Sequence, residues 1–179
     1  MRRMTADEFL AWAQEWADGE RYELDDGEPV RMASERARHT LAKGAIYRHL
    51  FDAVRDAGIE AQVFQDGMAA IIGERTVYEP DALVRIGPPV NGDTVKITDP
   101  LIVVEVLSPL TGAFDTGDKL AGYLRIPSVR HYLVLNPAKR VAVHHCRGED
   151  GTITTRILGD GPLRLDPPGI VAASLFSPA

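Results

Sequence analysis

The chain has 179 residues, 45% of them hydrophobic and 26% charged, the usual balance of a globular protein and a length that fits one domain spanning 1–179. A net charge of −6, from 20 basic and 26 acidic residues, excludes a wholly basic nucleic-acid coat but leaves room for a local basic face. The most apolar runs, Met68 to Ile72 and Leu101 to Val104, stop at Gly73 and Glu105, short of the roughly 18 residues a membrane helix needs, so no membrane partner is expected. The opening MRRMTADEFLAWAQEW lacks a clean apolar stretch and a small-residue cleavage pattern, which reads against a secretory signal. The single cysteine, Cys146, excludes an internal disulfide framework and a cysteine-built zinc site, and it suits a cytoplasmic location.

Thr5 to Ala17 reads as a helix. Thr5 and Glu8 form a capping-box pattern, Phe9, Ala13, Trp16 and Ala17 share a side, and Gly19 ends it. Arg21 to Asp25 and Glu28 to Met32 flank Asp26-Gly27, the signature of a tight hairpin. Ser34 is positioned to cap a second helix that carries Ala42, Ile46, Leu50 and Val54 and closes at Gly58. Strands follow at Ile59 to Gln65, Met68 to Ile72, Asp81 to Ile86 and Leu101 to Leu107, with Gly87 to Pro100 reading as a loop. A third helix is expected from Asp115 to Arg125, then a strand from Arg130 to Leu135. Arg140 to Cys146 and Thr152 to Leu158 read as a closing hairpin, followed by an apolar run from Ile170 to Phe176. The pattern predicts an α/β fold with a mixed sheet.

Three pieces carry chemistry. Leu101-Ile-Val-Val-Glu-Val-Leu107 is a continuously apolar strand, buried on both faces, with a carboxylate in its middle. Such a carboxylate is costly unless it is paired, hydrogen-bonded or bound to a metal. Glu-Pro-Asp81 places an acid at a strand entrance, because Pro80 cannot donate to a ladder. Asp115-Thr-Gly-Asp-Lys119 puts an amine early in the helix after the Glu105 strand, with Tyr123 one turn further on the same side. Taken singly, each piece also has an ordinary structural explanation: a paired buried acid, a Pro-Asp turn, a lysine bridged to Asp115.

In this order the pieces resemble the PD-(D/E)XK nuclease superfamily, specifically its Uma2-like (DUF820) branch. The matching text is Glu-Pro-Asp81, Leu-Ile-Val-Val-Glu105-Val-Leu-Ser-Pro109, Asp115, Lys119, Tyr123 and Val129-Arg-His-Tyr-Leu-Val-Leu-Asn-Pro137, with Arg21 to Glu28 and His39 similar to the opening of that family. The resemblance covers roughly residues 5 to 146. It implies a restriction-endonuclease-like core: a mixed central sheet flanked by helices, with an N-terminal helix plus hairpin and a C-terminal hairpin. It implies Mg²⁺, with Mn²⁺ able to substitute, held by Asp81, Glu105 and the Val106 carbonyl. It implies that Lys119 orients the attacking water, with Glu23 as a further acid. Double-stranded DNA as substrate and a homodimer are expected on the same ground. The superfamily signature places a lysine where this chain has Leu107, so the amine comes from the following helix.

Arg31, Arg36, Arg38, His39, Lys43, Arg48 and His49 form a basic stretch that could track phosphates. Phosphate-cradling glycine loops and a Gly-x-Ser-x-Gly elbow are absent, so Ser108 reads as structural. His144 and His145 point to opposite faces of a strand and cannot chelate one ion together, His131 reads as a strand-edge histidine, and Cys146 as a packed thiol. Two other classes stand beside the nuclease. One is a catalytically inactive module of the same fold acting in protein or nucleic-acid interaction. The other is a two-carboxylate sugar hydrolase, which an aromatic content of 7% disfavours.

Overall fold

A computed structural model describes residues 3–15, 20–107 and 115–176, with the side chains at 115 and 116 outside that description. Trp16, Ala17, Gly19, Ser108, Pro109 and the Asp115–Lys119 pairing fall outside the described residues.

Local signals build most elements. Helix α1 (Ala6–Glu15) starts on the expected box: Glu8 accepts the Thr5 backbone N–H at 2.9 Å, and Thr5 Oγ1 accepts the Glu8 N–H at 3.3 Å. Its buried side differs from the expected one. Ala6 and Phe9 are buried and Ala13 is exposed, because only the first two turns pack on the sheet below. Strands β1 (Tyr22–Asp25) and β2 (Glu28–Arg31) pair across Asp26-Gly27, whose φ values of 43° and 84° are those a glycine-bearing tight turn accepts. Helix α2 (Ala37–Ala57) starts at Arg36 with no side-chain cap, so Ser34 does not cap it, and it ends at Gly58.

The remaining strands are β3 (Ala61–Gln65), β4 (Ala69–Gly73), β5 (Thr76–Tyr78), β6 (Ala82–Ile86), β7 (Lys96–Ile97) and β8 (Ile102–Val106). After helix α3 (Asp115–Tyr123) come β9 (His131–Asn136), β10 (Val141–Arg147), β11 (Ile153–Leu158), β12 (Leu163–Leu165) and β13 (Ile170–Ala172). Three short strands, β5, β7 and β12, were not expected. Strand β7 lies inside the stretch 87–100 and pairs parallel to β4. The apolar C-terminal run is β13, paired antiparallel with β12.

The strands form a five-stranded sheet, β2-β1-β5-β4-β7, a six-stranded sheet, β11-β10-β9-β8-β6-β3, and the β12-β13 pair. The larger sheet is mixed: β8 and β9 run parallel across the α3 crossover and the other neighbours run antiparallel. This is the expected α/β class. One face of the large sheet is covered by α2 and the β12-β13 pair, through Ile46, Leu50, Val84, Val104, Leu133 and Ile170. The other face meets α3 and the small sheet through Tyr78, Val103, Tyr123, Ile126 and Tyr132. A Cβ at Gly122 would lie 2.7 Å from the Tyr78 ring, so a residue without a side chain is what lets α3 sit this close.

His131 is not at an exposed strand edge. It is 1% exposed, on a strand flanked by β8 and β10, and packs against His144, which is fully buried. Burial, with His131 and Arg156 nearby, pushes the His144 imidazole from 6.5 down to about 4. The unfolded chain takes up that proton near 6.5 and the fold resists it to about 4, so stability present above the first value is lost as pH falls through the second. The unfolding free energy measured in urea should fall across this window, by on the order of 2–3 kcal/mol for this group, while the His144 ring resonance stays neutral above about pH 5.

Candidate active site

Asp81 precedes the first residue of β6, and Ala82 pairs with Val104, so the antiparallel register sets Asp81 across from Glu105 on the same face. Both lie at the sheet end where β6 begins and β8 finishes. Two elements reach this end from opposite sides. Helix α3 brings Lys119 and Tyr123, and the first turns of α2 bring His39 and Lys43.

Glu105 accepts from the Tyr123 hydroxyl at 2.7 Å and from Lys119 Nζ at 3.3 Å. The same ammonium donates to Glu23 at 3.0 Å, and Glu23 also accepts the Glu79 backbone N–H at 2.9 Å. Lys119 Nζ lies 5.4 Å from the centre of the Tyr78 ring. The amine therefore returns to the carboxylate from the next helix, and the expected quartet of Asp81, Glu105, Lys119 and Glu23 shares one end of the sheet.

Asp81 is held differently. Its Oδ2 accepts the Val106 N–H at 2.6 Å and its Oδ1 meets Lys43 Nζ at 2.6 Å. Lys43 is 1% exposed and also reaches Glu35 and, at 3.3 Å, Asp66. Asp66 in turn pairs with Arg21, which also binds Glu79. The Val106 carbonyl, one of the expected ligands, accepts from His39 Nε2 at 2.5 Å and keeps a second lone pair.

This arrangement corrects the basic stretch. Lys43 and His39 turn into the site, and exposed Arg31 pairs with Glu20, which leaves Arg36, Arg38 and Arg48 as the exposed cations of the stretch with no ion pair among the described residues. Lys43, which reads in the sequence as part of a phosphate-tracking face, lies buried inside the candidate site. The signal was available: Lys43 stands three residues before Ile46 and seven before Leu50, on the buried stripe of α2.

The electrostatics are unbalanced. Among the described residues, Glu23, Glu35, Asp66, Glu79, Asp81 and Glu105 share Lys43, Lys119 and Arg21, an excess of three carboxyl groups over permanent cations. Burial raises Glu105 from 4.5 to about 8; the Lys119 charge opposes this, while Asp81 and Glu23 add to it. Burial also raises Asp81, against the pull of Lys43 and of the Val106 N–H. Burial pulls the Lys43 ammonium down, but the charge of Asp81 and the hydrogen bonds to Asp81 and Glu35 carry it upward. A divalent cation would offset two of the three surplus charges, and the donors are hard oxygens of the kind Mg²⁺ prefers. Asp81, Glu105 and the Val106 carbonyl thus fit such an ion.

A family model for Uma2, described as putative restriction endonuclease, matches residues 6–175. The chain belongs to the Uma2 family. Two uncharacterized proteins of Synechocystis are similar to this Uma2 chain. The protein slr1290 is 28% identical over 150 residues, covering 83% of this chain and 77% of its own. The protein sll1609 is 27% identical over 161 residues, covering 88% and 89%. The crystal structure of a putative nuclease belonging to DUF820 from Anabaena variabilis is 15% identical. It superposes with a TM-score of 0.67 over 90% of this chain and 88% of that one. The Uma2 chain therefore has the restriction-endonuclease-like fold expected from its motifs. No described helix is long and apolar enough to cross a membrane.

Proposed function

We propose that the chain is a metal-dependent endonuclease hydrolysing DNA phosphodiester bonds, with Asp81, Glu105 and the Val106 carbonyl as ligands to Mg²⁺. The observation that carries this reading is the placement of Lys119, whose ammonium is 3.3 Å from Glu105 and 3.0 Å from Glu23 at the sheet end that Asp81 shares.

Bound Mg²⁺ would supply positive charge to the transition state and to the leaving oxygen. The chain's own groups do the rest. Lys119 orients the attacking water and offsets phosphate charge. Glu23 also holds the ammonium, and the Tyr123 hydroxyl holds one Glu105 oxygen in place. Arg36, Arg38 and Arg48 lie exposed on and beside α2 and are assigned to the phosphates of double-stranded DNA, so binding should weaken steeply with salt. Two copies would cut the two strands. The exposed edge strand β11, with Ile153 and Ile157, is the surface assigned to that homodimer.

Supercoiled plasmid should be nicked with Mg²⁺ and with Mn²⁺, and a chelator should stop it. Cutting that continues at full rate in chelator would sink the metal assignment. A second reading, an inactive module of the same fold, draws on Asp81, both of whose oxygens already have partners, and on Leu107 at the signature lysine position. A Mn²⁺ titration without heat or thermal shift, together with intact plasmid, would favour it.

A further inference from the structure

We propose that His131, His144 and Cys146 form a second metal site, on the opposite face of the large sheet, that takes Zn²⁺ or a metal of similar softness. The strand register builds it. Cys146 pairs with His131 across β9 and β10, and His144 lies two residues before Cys146 on the same face of β10. Their ligand atoms all lie within 4.8 Å of one another. A tetrahedral Zn²⁺ with bonds of about 2.0 Å to nitrogen and about 2.3 Å to sulfur needs donors roughly 3.3–3.8 Å apart, so small side-chain rotations close the set. His131 pairs with Ile102, whereas Glu105 pairs with Val134, so the two sites are separated along β8 and by the sheet itself.

The hydrogen bonds fix the tautomers. Arg156 Nη2 donates to His144 Nδ1 at 3.1 Å, which leaves the His144 proton on Nε2. That N–H donates to His131 Nδ1 at 2.9 Å, and His131 Nε2–H donates to the Pro167 carbonyl at 2.8 Å. Both imidazoles are therefore neutral, the form that binds metal. His131 is already oriented as a ligand: its outer N–H is held by a backbone carbonyl and its bare Nδ1 faces the cluster. Cys146 is half-buried, the one member of the three that solvent reaches.

Metal entry has a defined proton balance. The Cys146 thiol loses its proton to solvent as the sulfur–metal bond forms. The His144 proton moves from Nε2 to Nδ1, and that of His131 stays where it is. One proton leaves per ion bound. Arg156 then faces an N–H instead of a lone pair and turns to solvent, which its exposed position on β11 allows.

The test is a Co²⁺ titration of the full chain after chelator treatment. One equivalent should give a thiolate-to-cobalt charge-transfer band and strong tetrahedral ligand-field bands, bleached by Zn²⁺, with one proton released. Cys146→Ser should abolish the charge-transfer band and weaken Co²⁺ binding at least tenfold. Arg156→Ala should tighten it several-fold, and Glu105→Gln should retain the band. In the unmodified chain, Zn²⁺ should slow alkylation of Cys146 at least tenfold, a measurement that needs no variant. No charge-transfer band in excess Co²⁺, its persistence in Cys146→Ser, its loss in Glu105→Gln, looser binding in Arg156→Ala, or alkylation indifferent to Zn²⁺ overturns the proposal.

Discussion

Glu105→Gln should abolish plasmid cleavage while making the metal-free fold more stable at alkaline pH. Burial, Asp81 and Glu23 raise the Glu105 carboxyl to about 8 from its ordinary 4.5. The contribution of that shift to folding is full below 4.5 and is lost as pH rises through about 8, where the fold must hold a charge it disfavours. Glutamine keeps an oxygen for Tyr123 and Lys119 and carries no charge to lose. Melts at about pH 9 should favour Glu105→Gln by on the order of 1–3 kcal/mol, and melts near pH 5 should show little difference. Cleavage should fall by roughly 10³ or more, because a neutral amide is a poor partner for a hard divalent ion. Destabilisation at both pH values would show that Glu105 serves as a structural anion for Lys119 instead. The expected result would make Glu105 a group that costs stability at alkaline pH, the pattern expected where a charge is kept for chemistry.

Much of the fold was legible because its signals are local. The Thr5–Glu8 box, the Asp26-Gly27 turn, the apolar period of α2 and the closing β10-β11 hairpin each depend on a few adjacent residues, and each forms as expected. Strands β5, β7 and β12 were not legible. They are two or three residues long, and only their partners in the sheets define them. The site was legible where an acid broke an apolar strand and where Glu-Pro-Asp81 opened the next one. Lys119 was legible as an amine early in the helix after the Glu105 strand, but its role came only from the family resemblance, since its approach to Glu105 depends on the α3 crossover. Lys43 was hidden by its type: a lysine reads as surface, and only its place on the stripe shared with Ile46 and Leu50 says otherwise. The pairing of His131 with Cys146 depends on β9-β10 register, which composition does not reveal.

Lys43 also gives the largest expected stability effect. Its side chain is 2% exposed, against 6% for the Asp81 it holds at 2.6 Å, and the same ammonium serves Glu35 and Asp66. Lys43→Met keeps the length of the stem and removes the charge, which strands buried carboxylates without a counter-ion. The cost should be about 3–5 kcal/mol in the metal-free chain. Asp81→Asn added to Lys43→Met should recover part of that loss, because the amide does not need the missing cation, and the double variant should be more stable than Lys43→Met alone. Mg²⁺ should raise the melting temperature of Lys43→Met by more than that of the unmodified chain, since the ammonium no longer competes for the Asp81 oxygen. Urea unfolding of the three variants with and without Mg²⁺ measures all of this. A double variant less stable than Lys43→Met, or a Mg²⁺ shift no larger than in the unmodified chain, would mean that Lys43 only fills space beneath the sheet end. The expected pattern instead makes Lys43 and the divalent ion alternative counter-ions for one carboxylate, which sets how tightly the ion can be held.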